Sequence, residues 1–402
     1  MAIPSRRLTM PAFVHAYTLT SALGRGRAAT RDALVDERSG LRREPFAGDV
    51  LDTWIGTVAG LEAIELPPAR EGYACRSNRL AEVALCQDGF ADAVAEVRDR
   101  FGAHRVGLYV GTSSAGILEV ELGYRARDPR TGALPAGLRY RESMNLYSPA
   151  AYLRERLGLS GPSVVVSAAC ASSAKAFAAG ARALSAGVCD AAIVGGIEAL
   201  CLTTLYGFRS LELLSTRPCR PCDAQRDGIS LGEAAGYALL TREPSRSGLA
   251  LLGYGESADA HHLSTPHPQG VGAAIAMREA LRRADLPGEA IDYVNLHGTG
   301  TRTNDVAEDA ALRGVLGDAT PRSSTKGWTG HTLGAAGVTE AVITLIAIEN
   351  GIVPGTLNCT EVDPAIRGRV ERRTRAGQVE RALSNSFGFG GSNCALLLGR
   401  AA

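Results

Sequence analysis

The chain has 402 residues, of which 45% are hydrophobic, and its 43 basic and 42 acidic side chains leave a formal net charge of +1. So even a balance excludes a dedicated nucleic-acid surface and a charged disordered tail, while the length admits two domains or one large duplicated unit. Nine cysteines, an odd number, fit reduced thiols better than a disulfide framework, which leaves at least one for chemistry.

Arg6 and Arg7 precede Met10 to Leu19, a stretch broken by Pro11 and His15 and without a small-residue cleavage site, so no signal peptide is expected and the chain reads as cytoplasmic. Val106 to Gly111 reads as a buried strand, as do Pro162 to Ser167 and Ala191 to Gly195, with an alanine-rich helix over Ala171 to Gly187. The polar stretch Arg242 to Ser247 marks a seam, placing one half at residues 1–250 and another at 251–402. Beyond it, Tyr293 to Leu296 reads as a strand, Val338 to Asn350 as a helix and Cys394 to Leu398 as a closing strand. Apolar runs such as Ala341 to Ile348 fall short of the ~18 residues of a membrane span, so none is expected. This alternation predicts an α/β fold. Glycines gather at Gly111 to Gly116, Gly195-Gly196, Gly298 to Gly300 and Gly388 to Gly391, where backbone must turn sharply or approach a ligand.

Three segments carry chemistry. Ser167-Ala-Ala-Cys170-Ala-Ser-Ser173 puts a thiol at a strand-to-helix turn, where the free N–H groups and partial positive charge of a helix N-terminus favour thiolate. An inert buried cysteine is the plain alternative. Val294-Asn-Leu-His297-Gly-Thr-Gly-Thr301 delivers a histidine into a glycine-rich turn, and Ser324 to Gly337 carries Lys326 and His331 ahead of a small-residue helix. Either histidine alone is more often structural than catalytic. Two other clusters are weaker. Cys219-Arg-Pro-Cys222 has redox or zinc spacing, but no second such pair follows. Asp259 to Pro268 concentrates His261, His262 and His267, yet adjacent His261 and His262 on an extended chain point opposite ways, so no metal is expected.

With Arg220-Pro-Cys-Asp223, Arg226 to Gly236 and Asn385-Ser-Phe-Gly-Phe-Gly-Gly-Ser-Asn393 following in order, the chain resembles the β-ketoacyl-acyl-carrier-protein synthase family over nearly its whole length. The resemblance implies a thiolase-like fold, with duplicated βαβαβαββ halves in an α-β-α-β-α sandwich. Cys170 then comes from the first half and His297 and His331 from the second. Cys170 would accept an acyl chain by thioester exchange, and the two imidazoles would stabilise the enolate left when a malonyl thioester loses carbon dioxide. The resemblance further assigns backbone N–H groups of Cys170 and Phe389 to the oxyanion hole. Lys326, Glu308 and Asp305 would organise the histidines and their loop. Gly388, Phe389, Gly390, Gly391 and Asp259 would form gating loops, and Ser114 and Ile229 would line the acyl pocket. It implies no bound cofactor, substrates carried on the phosphopantetheine of an acyl carrier protein, and a homodimer or a heterodimer with a chain-length-factor-like subunit. Candidate contacts for the acidic carrier are Arg76, Arg79, Arg125, Arg127 and Arg130.

Gly111 to Glu119, Ala171 to Lys175 and Cys201 to Phe208 are similar to synthases of bacterial aryl-polyene-like pathways, which implies elongation of stiff polyene chains. Ser114 stands where better-known fatty-acid synthases carry a bulkier aliphatic residue. Cys222 and Ile229 replace phenylalanines common in the family, and Ala234-Ala235 a Gly-Ala, so aromatic bulk is reduced. The alternatives are a housekeeping fatty-acid elongation synthase, a non-catalytic chain-length partner, which would lack the cysteine present at 170, and a thiolase. A thiolase would need a second catalytic cysteine, and Cys394 falls inside an apolar strand.

Overall fold

The computed structural model describes residues 10–401, so Arg6 and Arg7 lie outside the described residues. Ten strands form the path of its main sheet: β1 (Ala12–Ser21), β2 (Val106–Gly111), β3 (Ser163–Val166), β4 (Ala191–Glu198), β5 (Ala234–Thr241), β6 (Leu249–Ala258), β7 (Tyr293–Asn295), β8 (Arg322–Ser323), β9 (Arg381–Gly388) and β10 (Ser392–Arg400). Their spatial order is β8-β7-β9-β10-β6-β1-β5-β4-β2-β3. From the β3 end inward the pairings run parallel, parallel, antiparallel, antiparallel, ending on β1. From the β8 end the same sequence of pairings ends on β6. One connectivity thus occurs twice, the duplicated thiolase-like α/β architecture, and among the described residues the two sets pair where Ala12 and Phe13 meet Leu251 and Ala250.

Around and between the strands lie α1 (Arg76–Leu85), α2 (Ile117–Arg125), α3 (Ser172–Ser185), α4 (Leu202–Ser210), α5 (Val271–Ala284), α6 (Arg302–Leu316) and α7 (Ala336–Asn350). Helices α3 and α7 pack on each other and each touches strands of both sets, making the middle layer. Small residues permit that approach: a Cβ added at Gly337 would lie 2.4 Å from the backbone nitrogen of Ala174. Buried from Ala336 to Ile348, α7 shows why a helix can be apolar on every side. The stretch Leu333–Asn350 is long and apolar enough to cross a membrane, but 89% of it is buried within the protein, as a core helix is.

Strand β4 runs to Glu198 instead of ending at Gly195. Its Gly195-Gly196 pair makes close contact rather than a turn, because a Cβ at Gly195 would meet the Gly236 carbonyl oxygen at 2.1 Å and one at Gly196 the Ser173 side chain at 2.6 Å.

Candidate active site

Cys170 follows β3 through a turn whose residue Ala169 has a left-handed φ of 47°, and α3 begins two residues later. A non-glycine residue held there marks a turn over-determined by its surroundings. His297 extends from β7 and His331 from the loop before α7, so thiol and imidazoles come from the two strand sets. His331 Nε2 lies 2.9 Å from Cys170 Sγ, and the His297 and His331 rings stand nearly perpendicular with centroids 5.3 Å apart. All three side chains are buried, with donor atoms within 4.8 Å of one another; they form the group among the described residues that could hold a metal ion.

The electrostatics differ from the expectation at the helix N-terminus. Burial pushes the Cys170 thiol up to about 12, with Glu340 and Glu198 adding to the rise while Lys326 and the Phe389 N–H oppose it. Desolvation outweighs the helix terminus, so the resting group is a thiol rather than a thiolate. Burial also drives His297 and His331 well below the ordinary imidazole value, with the Lys326 charge acting in the same direction. Both rings are therefore neutral near pH 7.

Lys326 Nζ lies 3.3 Å from His297 Nδ1 and also bonds the His297 carbonyl and Glu340. Glu308 accepts the backbone N–H groups of His297 at 2.9 Å and Gly298 at 2.8 Å and is bound by Asn385, while burial raises its carboxyl to about 6. Asp305 acts further along the same loop, accepting from Gly300 and Cys222 beside Arg226. Glu340, the partner of Lys326, escaped sequence reasoning. Its signal was a carboxylate inside the otherwise apolar run of α7.

Cys170, His297 and His331 line a cavity of about 70 Å³ together with Ile229, Phe387 and Phe389. Two loops close it: Gly390 N–H donates to the Leu263 carbonyl at 2.7 Å, Asp259 N–H to that of Gly391 at 2.8 Å, and Asn393 to Asp259. Gly388, Phe389, Gly390, Gly391 and Asp259 all line this closure.

The remaining expected residues fall in several places, and only the burial of Arg76 corrects an expected surface contact. Ser114 does not face the cavity; its hydroxyl turns away to donate to buried Glu198. Arg76 is buried, its Nε bonded to Glu233 at 2.8 Å, and so is withdrawn from any partner surface. Arg79 is half-buried in a separate cleft with Glu119, and Arg125 pairs with Asp49. Arg127 and Arg130 are exposed. Cys219 and Cys222 are buried free thiols, and Cys394 is buried inside β10. His261 and His267 lie with ring centroids 5.0 Å apart and planes tilted by 60° in the gating segment.

Family models cover most of the chain: "Beta-ketoacyl synthase, N-terminal domain" matches residues 42–245 and "Beta-ketoacyl synthase, C-terminal domain" residues 250–360. The 3-oxoacyl-[acyl-carrier-protein] synthase 2 of Vibrio cholerae is 35% identical over 334 residues, 77% of this chain and 79% of its own. Among solved structures, a ketosynthase (ApeO) in complex with its chain length factor (ApeC) from Xenorhabdus doucetiae superposes with a TM-score of 0.88 at 34% identity, covering 100% of both chains. The ishigamide ketosynthase/chain length factor gives a TM-score of 0.86 at 26% identity, covering 98% of this chain and 100% of its own.

Proposed function

Because this chain belongs to the β-ketoacyl synthase family of acyltransferases, we propose that it joins an acyl chain held on Cys170 to a malonyl unit by decarboxylative condensation. The observation that carries this reading is the 2.9 Å contact between Cys170 Sγ and His331 Nε2, with the neutral His297 beside it.

As Sγ attacks the acyl thioester of a carrier protein, His331 takes the thiol proton and returns it to the departing carrier thiol. The developing oxyanion is met by the backbone N–H groups of Cys170 and Phe389. The malonyl thioester then loses carbon dioxide, and the electron pair moves into an enolate whose oxygen accepts from both rings. An ammonium is only a donor, so Lys326 requires His297 Nδ1 to accept; the ring proton then sits on Nε2, ready to donate. His331 Nδ1 has no hydrogen-bond partner among the described residues, which leaves that ring free to carry its proton on Nε2 in this step. The carbanion attacks the acyl-Cys170 carbonyl, the carbon–sulfur bond breaks, and the thiolate is reprotonated by solvent. The product is two carbons longer.

Residues 1–250 and 251–402 act as the two halves, and the enzyme works in the cytoplasm without a bound cofactor, on substrates carried by phosphopantetheine. Similarity over full length to a ketosynthase paired with a chain length factor favours polyene elongation in a heterodimer over housekeeping fatty-acid synthesis by a homodimer. Intact-protein mass spectrometry after incubation with an acyl carrier thioester should show one acyl group on Cys170 and none in Cys170→Ala. An unacylated wild-type protein removes the synthase reading. Matched saturated and polyenoyl carriers, with and without a co-expressed partner, then test the chain: preference for the saturated substrate by the protein alone overturns the polyene assignment.

A further inference from the structure

Glu198, the last residue of β4, is completely buried, and among the described residues no lysine or arginine forms an ion pair with it. Instead its two oxygens collect four donors: Ser113 N–H at 2.6 Å, Ser113 Oγ at 2.9 Å, Gly334 N–H at 3.0 Å, and the Ser114 hydroxyl. Burial raises its carboxyl above the ordinary range while these four bonds pull the other way, and four donors on two oxygens are the company that an ionised carboxylate collects.

The donors belong to two turns from different halves of the chain. Thr112 to Ala115 follows β2, and Leu333-Gly334 lies just beyond His331. Each turn contains a non-glycine residue in the left-handed region, Ala115 with φ 46° and Leu333 with φ 47°. Such residues cost of order 1–3 kcal/mol and persist only where neighbours hold them. At Gly334 the fit is tight enough to forbid a side chain, since a Cβ there would come within 2.1 Å of Glu198 Oε2. The carboxylate is thus the common anchor of both strained turns, and one of them carries the imidazole bonded to Cys170.

We propose that Glu198 is a positioning residue for the condensation: it fixes the His331 turn against the first half of the chain, and its buried carboxylate adds to the burial that holds Cys170 as a thiol until substrate arrives. The proposal rests on the synthase reading for its catalytic part only. A negative charge near a thiol opposes its ionisation, so neutralising Glu198 should ease thiolate formation.

Glu198→Gln keeps the shape and removes the charge, while Glu198→Asp keeps the charge and shortens the reach. The pH dependence of Cys170 alkylation by iodoacetamide, followed by mass spectrometry, should move to lower pH by roughly half a unit or more in the Gln variant and stay near wild type in the Asp variant. Malonyl decarboxylation should fall about tenfold or more in both, because both loosen the turn behind His331. A Gln variant with a wild-type alkylation profile, or an Asp variant with wild-type decarboxylation, overturns the corresponding part of the proposal. Circular dichroism identifies any variant lost to misfolding, in which case the other variant decides. Alkylation needs no synthase activity, so a wild-type protein that alkylates normally but never loads an acyl group would refute the function and leave the test of Glu198 intact.

Discussion

Lys326 Nζ stands 3.3 Å from His297 Nδ1, on the side of the ring away from the cavity, and Glu340 holds the ammonium in place from α7. Together these contacts set which nitrogen of His297 bears the proton. Replacing Lys326 by Met should therefore lower malonyl decarboxylation by roughly 10²-fold, the scale of losing one aligned donor, with a smaller effect on acyl loading. Carbon dioxide release and acylation of Cys170, measured separately, check this; equal losses would show that Lys326 merely supports the site.

Burial raises Glu340 to about 7, against the pull of Lys326. Ionised, it holds the ammonium against His297 Nδ1 and so fixes the ring's tautomer; protonated, it loosens that hold. Decarboxylation should accordingly rise with pH through about 7, and Glu340→Gln should flatten that limb of the profile. A profile unchanged by the substitution would assign the limb to another group.

The two histidines should not fail alike. His297→Ala should remove mainly decarboxylation, since its ring is positioned through Lys326 and not bonded to the thiol, whereas His331→Ala should impair acyl loading as well. Losses of about 10²–10⁴-fold are the usual scale for such groups. Single-turnover loading and decarboxylation assays separate the two; an H331A variant that loads normally would count against proton transfer through His331.

Acid should destabilise the protein through the same rings. The folded-state pKa values of His297 and His331 lie below the unfolded 6.5, so the unfolded chain binds more protons in this window. Their contribution is present above pH 6.5 and is lost as pH falls through and below it. The melting temperature should drop between pH 7.5 and pH 5, and the drop should shrink in a protein lacking both histidines. An equal drop in that variant would place the acid sensitivity elsewhere.

Of the five arginines considered for carrier docking, Arg127 and Arg130 keep their side chains exposed and outside any described ion pair. Charge reversal at both should raise the KM for an acyl carrier protein about tenfold at low salt, with the effect shrinking as salt rises. An unchanged KM would remove them from the docking surface.

The strand ends, the middle-layer helices and the converging trio were legible because His297 and His331 sit beside glycine turns and Cys170 where a valine-rich run meets an alanine-rich helix, patterns readable along the chain. Direction and partnership were not. Ser114 shows its small size in the sequence but not that its hydroxyl turns toward Glu198. Arg76 shows its charge but not Glu233, 157 positions away. The thiol's helix-terminal address was visible, yet the burial that reverses its preferred protonation depends on Phe389, His331 and the gating loop closing over it. Glu340 and Glu198 look like isolated acids in apolar runs until their partners arrive from elsewhere in the chain.

Among the described residues the strands of the two sets share only two backbone pairings, and the nucleophile belongs to one set while both imidazoles belong to the other. Catalytic competence therefore requires both sets: a chain that has completed either one alone owns a thiol without a proton acceptor, or a pair of imidazoles without an acyl acceptor. A molecule that has completed one set alone has no means of lengthening an acyl chain, and recovery of condensation during refolding would time the docking of α3 against α7.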